Sequence, residues 1–164
     1  MTTLRTSSVA GTRALAAALA PLVRVGDCVV LAGDMGAGKT AFVQGLATAL
    51  DVTEPVTSPT FTLVHTYTTG RLRLHHVDVY RLDRLGEVDD LGLPELLDDG
   101  AVIVEWGDAV RDALPADRLE IGLGFGATDD ERWIDVELTG RSWDAREAKL
   151  DAALARFETE AGAC

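Results

Sequence analysis

The sequence predicts an α/β fold: a single domain on a mixed, mainly parallel sheet, flanked by helices and carrying antiparallel hairpins. Three observations lead there. A short apolar run, Cys28 to Leu31, passes through a glycine-rich loop into a stretch of helical character from Ala41 to Leu50. A second continuous apolar run, Ala101 to Val104, has the length and composition of a strand buried on both faces. Two pairs of alternating segments, Phe61 to Tyr67 with Leu72 to Tyr80 and Arg118 to Phe125 with Arg132 to Leu138, read as hairpins. At 164 residues and 47% hydrophobic, the chain is long enough for one proper core and short for two domains, so any remainder is a short appendage.

Taken in order, Met1 to Ser8 is polar and reads as an edge strand or an extended lead. Ser7 or Ser8 can cap a helix running to about Ala20, with Leu15, Ala18, Leu19 and Leu22 at the spacings of one buried stripe. Pro21 and Gly26 stop it, and the simplest role for this helix is to cover the sheet.

The next element carries chemistry. Gly33-x-x-x-x-Gly38-Lys39-Thr40 stands between a predicted strand and a predicted helix, the order that a P-loop requires. A chance match to these four positions is expected in about one chain in a hundred of this length, and the strand-before, helix-after context makes it rarer. Gly33, Gly36 and Gly38 lack a Cβ, so the backbone can turn its N–H groups inward on phosphate oxygens. The unsatisfied donors and dipole of the following helix favour the same anion. Lys39 can reach the β- and γ-phosphates as a mobile point charge, and the Thr40 hydroxyl can bind Mg²⁺. The pattern fits a nucleoside triphosphate.

After a turn at Asp51 to Pro55 comes a hydroxyl-rich segment, Val56-Thr57-Ser58-Pro59-Thr60, stiffened by its proline. The second arm of the first hairpin contains His76-Val77-Asp78, with Asp78 near a strand end, where a P-loop protein needs a carboxylate for Mg²⁺. His65, His75 and His76 show no metal-ligand spacing with cysteine or paired carboxylates and read as ordinary sheet positions. Arg71, Arg73, Arg81 and Arg84 form the one locally basic stretch, which reads as a solvated strand face. Pro94 to Leu97 signals a short helix, with proline suited to its first turn.

The Ala101 run ends in Glu105-Trp106-Gly107-Asp108. Ligands in open α/β sheets sit beyond the carboxyl ends of the strands, so Glu105 is a candidate Mg²⁺ ligand or water-orienting base. The competing assignment is a carboxylate that caps a helix start. Trp106 can stack at the site or simply pack. The second hairpin is expected at a sheet edge, and Trp143 to Phe157 reads as one amphipathic helix with Leu150, Leu154 and Phe157 on its stripe.

Charge narrows the partners. Fifteen basic against 27 acidic residues give −12 at neutral pH, unsuited to a chain that would bind RNA alone by neutralising phosphates. Cys28 in a strand and Cys164 make no disulfide framework, and neither a signal peptide nor a bilayer-spanning run is visible, so a cytoplasmic protein is expected. No guanine-reading N-K-x-D motif and no L-S-G-G-Q signature occur. An accessory ATPase and a small-molecule kinase remain, with a nucleotide-sensing switch as a third reading. The only room for a kinase lid, Arg81 to Gly100, is mostly acidic where a lid needs arginines.

The ordered segments Gly33-Asp34-Met35-Gly36-Ala37-Gly38-Lys39-Thr40, Ser58-Pro59-Thr60-Phe61-Thr62-Leu63-Val64, His76-Val77-Asp78-Val79-Tyr80-Arg81-Leu82 and Glu105-Trp106 resemble the signatures of the bacterial TsaE family. That family is the ATPase component of tRNA threonylcarbamoyladenosine biosynthesis. The resemblance spans about residues 5 to 140. It implies a P-loop ATPase domain over residues 1–140 and leaves 141–164 as a C-terminal helical extension, packed on it or partly loose. It further implies ATP and Mg²⁺ as cofactors, with Gly33 to Thr40 on the phosphates and Thr40, Asp78 and Glu105 near the metal. Asp78, Glu105 and Lys39 are then the catalytic set. Ser58, Pro59 and Thr60 become a switch-like segment, Trp106 borders the site, and Thr12 and Arg132 are candidate contacts near the base. The implied partners are TsaD and TsaB, with tRNA met only through their complex and no membrane. Two departures from the family pattern stand out: Met35 where leucine is usual, and Gly107 where proline or alanine commonly follows the tryptophan.

Overall fold

The computed structural model describes residues 1–80, 82 and 85–157. Seven strands form one sheet: β1 (Thr2–Thr6), β2 (Cys28–Ala32), β3 (Val64–Tyr67), β4 (Arg73–Asp78), β5 (Gly100–Glu105), β6 (Arg118–Phe125) and β7 (Arg132–Thr139). Their order across the sheet is β1-β7-β6-β2-β5-β4-β3. The four middle strands, β6, β2, β5 and β4, are parallel, and the pairs at either flank are antiparallel. This is the mixed sheet with a parallel centre that the apolar runs predicted.

Alternation explains the layers. Val29 and Leu31 of β2, with Ala101 and Ile103 of β5, face one core, while Cys28 and Val30, with Val102 and Val104, face the other. A strand covered on both faces must be apolar at every position, which is why these two read as unbroken runs. The first core lies under α1 (Val9–Leu19), α2 (Lys39–Ala49) and α6 (Glu147–Leu154). The second lies under α3 (Leu85–Asp89), α4 (Leu93–Asp99) and a 3₁₀ stretch, Gly107–Ala113. Ser8 caps α1 by accepting from the Gly11 N–H at 3.0 Å, as its sequence position predicts.

Two expectations are corrected. The second hairpin is not at the edge: β6 pairs with β2 on its inner side, and the polar N-terminal lead supplies β1 as the edge strand beyond β7. The tail is not one helix. It breaks into α5 (Arg141–Asp144), α6 and a 3₁₀ turn (Ala155–Phe157), with a turn at Ala145 and Arg146 between the first two. The Arg146 guanidinium is buried and grips Asp27 through both carboxylate oxygens, at 2.6 and 2.7 Å, and stacks on Trp143. Within the basic stretch Arg71 and Arg73 are exposed, as a solvated face requires, and both are tethered: Arg71 donates to the Ala20 and Val23 carbonyls and Arg73 pairs with Asp99. His75 is a sheet position in β4, buried between Thr66 and Asp99, within 2.8 Å and 2.7 Å of them. Arg81, Arg84 and Cys164 lie outside the described residues. No described helix is long and apolar enough to cross a membrane.

Candidate functional site

β2 runs out at Ala32, and the chain must reverse within six residues to start α2 at Lys39. Gly33 makes this possible at φ +143°, in a place where a Cβ would run into the Leu123 carbonyl of β6. Gly38, at φ +107°, is the N-cap of α2 and offers it no side-chain acceptor. The first N–H groups of this 11-residue helix therefore have no side-chain cap and point out of the loop with the positive end of the helix dipole.

Lys39 is only 5% exposed. Its Nζ donates to the Gly33 and Asp34 carbonyls at 2.6 and 2.9 Å and sits 3.7 Å from the centre of the Trp106 ring. Burial pushes its pKa down, opposed by the nearby carboxylates of Glu105, Asp78, Asp108 and Asp34. Trp106 holds its place with φ +63°, a strained conformation for a bulky side chain, and its ring meets that of Tyr80 at 4.9 Å.

Register brings the two acids together. β4 and β5 are parallel with Asp78 opposite Glu105, so both strands deliver a carboxylate at the same height beside the loop. Asp78 and Glu105 are 2% and 3% exposed. Asp78 Oδ2 accepts from the Ser58 and Thr60 hydroxyls, each at 2.9 Å, and Oδ1 from the Tyr80 N–H, also at 2.9 Å. Glu105 Oε1 accepts from Thr40 Oγ1 at 3.1 Å and lies 2.7 Å from His76 Nε2. A cavity of about 410 Å³ is lined by Met35, Gly36, Gly38, Lys39, Thr40, Ser58, Thr60, Asp78, Tyr80, Glu105 and Trp106, among others. Its size suits a small ligand.

The donor set passes a chemical test. An uncapped helix start and a lysine suit a polyanion, and two buried carboxylates with a threonine hydroxyl are the hard oxygen donors that Mg²⁺ prefers.

Most sequence candidates thus line one cavity; Gly33, Asp34 and Ala37 shape the loop without lining it, and Thr12 and Arg132 stand apart. Thr12 is buried with its hydroxyl 3.0 Å from that of Thr6 and its methyl facing Gly38, so it supports the helix start from behind. Arg132 donates to the Ala37 and Gly36 carbonyls at 3.0 and 3.3 Å and stacks on Phe125, bracing the outside of the loop. Sequence reasoning missed His76 and Tyr80. Both carried a readable signal, since residues 76, 78 and 80 alternate with Val77 and Val79 around an acid already singled out.

Comparison with known proteins gives the family. The family model described as "Threonylcarbamoyl adenosine biosynthesis protein TsaE" matches residues 6–134. The chain is 41% identical over 141 residues to the tRNA threonylcarbamoyladenosine biosynthesis protein TsaE of Bacillus subtilis, covering 85% of this chain and 87% of that one. It is 40% identical over 144 residues to the protein of the same name from Mycobacterium leprae, covering 82% and 86%. The one from Treponema pallidum is 46% identical over 116 residues, covering 70% and 84%. Among solved structures, YdiB of Bacillus subtilis superposes with a TM-score of 0.79 at 34% identity, covering 92% of this chain and 93% of the other. The chain therefore belongs to the TsaE family.

Proposed function

We propose that the chain binds and hydrolyses ATP with Mg²⁺ and acts as an accessory subunit beside a TsaD–TsaB complex. In that setting it supports threonylcarbamoyl transfer to the adenosine next to the anticodon of tRNAs. One observation carries the nucleotide half: a G-x-x-x-x-G-K-T loop with an uncapped helix start opens on the same cavity as two buried carboxylates. The partner half rests on family membership.

The roles follow from chemistry. Backbone N–H groups from Gly33 through Asp34, Met35, Gly36, Ala37 and Gly38 to Thr40 would bind the phosphates, and Lys39 would trade its two carbonyl contacts for phosphate oxygens. Thr40 Oγ1, Asp78 and Glu105 would hold the cation. Mg²⁺ supplies neutralising charge to the transferring phosphoryl group. Glu105 is the group suited to orient water, while Ser58 and Thr60 form a hydroxyl-bearing segment that Asp78 tethers. Such a tether, made of two neutral hydroxyl contacts, suits a loop that a partner completes, so hydrolysis by the chain alone is expected to be slow. Trp106 borders the site and confines the lysine. The acidic surface, −12 overall, suits docking beside a tRNA-binding protein by charge complementarity without touching RNA. That work is cytoplasmic.

The test is ATP hydrolysis by the purified chain, alone and with its cognate TsaD–TsaB pair, with Lys39→Ala as control. Strong stimulation by the pair, absent in Lys39→Ala, is the expected result. No stimulation, with turnover appearing only when a small hydroxylated metabolite is added, would replace this reading with a kinase.

A further inference from the structure

His76 lies in the middle of β4 and is 0% exposed. Burying an imidazole demands partners, and only one ring nitrogen has one. Nε2 lies 2.7 Å from Glu105 Oε1, while Nδ1 is buried without a hydrogen-bond partner. A carboxylate accepts and does not donate, so the proton of this contact sits on Nε2. The orphaned Nδ1 is a polar cost that the fold tolerates at a fully packed position, with the Tyr67 ring 6.4 Å away. The gain lies in what the other nitrogen does to Glu105.

That carboxylate is divided. Oε1 takes both the His76 contact and the Thr40 hydroxyl at 3.1 Å, whereas among the described residues Oε2 has only the long approach of the same hydroxyl at 3.5 Å. A glutamate side chain carries three rotatable bonds, and one contact from Thr40 would leave its plane free to turn. The second contact, from a ring that cannot move, removes that freedom. We propose that His76 is a positioning residue. Its Nε2–H pins Oε1 of Glu105 beside Thr40 and keeps Oε2 as the oxygen available for cation or water. The ring holds this bond and acts through Glu105 alone. This assignment rests on the ATPase reading above, in which Glu105 is catalytic and His76 touches neither nucleotide nor metal.

Two measurements test it. The first needs no nucleotide: in the full chain with ¹⁵N-labelled histidine, the His76 ring is expected to be protonated at Nε2, with that signal shifting in Glu105→Gln. A ring protonated at Nδ1, or one indifferent to Glu105→Gln, overturns the proposal. The second compares His76→Leu with His76→Gln, whose amide nitrogen can reach the place of Nε2, in the TsaD–TsaB-stimulated reaction. His76→Leu is expected to lower kcat by about 10- to 100-fold with KM changed less than about twofold, as for residues that orient a metal ligand. His76→Gln should recover kcat to within about threefold. Equal losses in both variants, or a loss confined to KM, would reduce His76 to packing and overturn the assignment. If His76→Leu fails to fold, His76→Gln against His76→Asn, whose shorter amide falls short of Glu105, gives the same comparison. Normal hydrolysis by His76→Leu overturns this proposal alone, whereas no hydrolysis by the unsubstituted chain overturns the ATPase reading and this assignment with it.

Discussion

Lys39 Nζ is bonded to two carbonyls of its own loop and lies against the Trp106 ring. Burial pushes its pKa down and the carboxylates of Glu105, Asp78, Asp108 and Asp34 oppose that push, while its contacts confine the ammonium to one small volume. Lys39→Ala is expected to weaken Mg²⁺–ATP binding by about 10- to 100-fold in titration calorimetry, the scale of one lost charge-assisted contact. Glu105→Ala should behave differently, with affinity within about threefold and turnover down by about 100-fold or more in the assembled complex. Equal turnover there would remove Glu105 from the chemistry. The sequence made these residues legible because each sits at a position with fixed meaning: a lysine inside a P-loop, an acid at the end of an apolar strand. The alternation of residues 76, 78 and 80 put His76 and Tyr80 on the face of Asp78, but which acid His76 would meet was not legible. Asp78 stands opposite Glu105 only through the β4–β5 register, and spacing along one strand does not encode the register of two.

At the scale of elements, two ionic clasps fix pieces that propensity alone leaves loose. Asp27 and Arg146 are 5% and 2% exposed and join the start of β2 to the α5–α6 corner. Removing one partner strands a buried charge, so Arg146→Ala is expected to cost about 3–5 kcal/mol in urea denaturation. Asp27→Leu with Arg146→Met, which removes both charges at similar volume, should restore most of that loss. The second clasp ties α4 to β4 through Asp99. The hydrogen bond from His75, with Arg73 beside it, holds the Asp99 carboxyl below its ordinary value of 3.8. A depressed carboxyl stabilises the fold above its unfolded value and loses that contribution as pH falls through the folded one. Asp99→Asn should therefore flatten the acid limb of the stability profile below about pH 4 and leave its shape at higher pH little changed. Neither clasp was visible in advance, since their members lie far apart in sequence: 119 residues separate Asp27 from Arg146. The interruption of the tail helix lies at the first of them, and amphipathic spacing, which reports which residues face inward, says nothing of a side chain bonded to a distant acid.

For the molecule as a whole, the sequence disclosed the layer plan better than the limits of the sheet. Parallel strands at the centre were readable from unbroken apolar runs; β1 as the outermost strand was offered only as one of two options, because a polar lead can pair or dangle with the same composition. The family model ends at residue 134, yet Trp143, Leu150 and Leu154 beyond it are buried in the main core. At about 1.5–3 kcal/mol for each buried side chain, truncation after Gly140 is expected to lower the melting temperature by about 10 °C or more in a thermal scan. β2 joins these two halves of the molecule: Asp27 and its arginine lie at one end, the loop and Lys39 at the other. Its five residues place those ends about 17 Å apart at about 3.3 Å per residue, and the arginine end is a neutralised pair. A neutral pair at that distance projects almost no field, so the strand works as an insulated spacer. Replacing both members of the pair together is therefore expected to leave the charge felt at the loop unchanged.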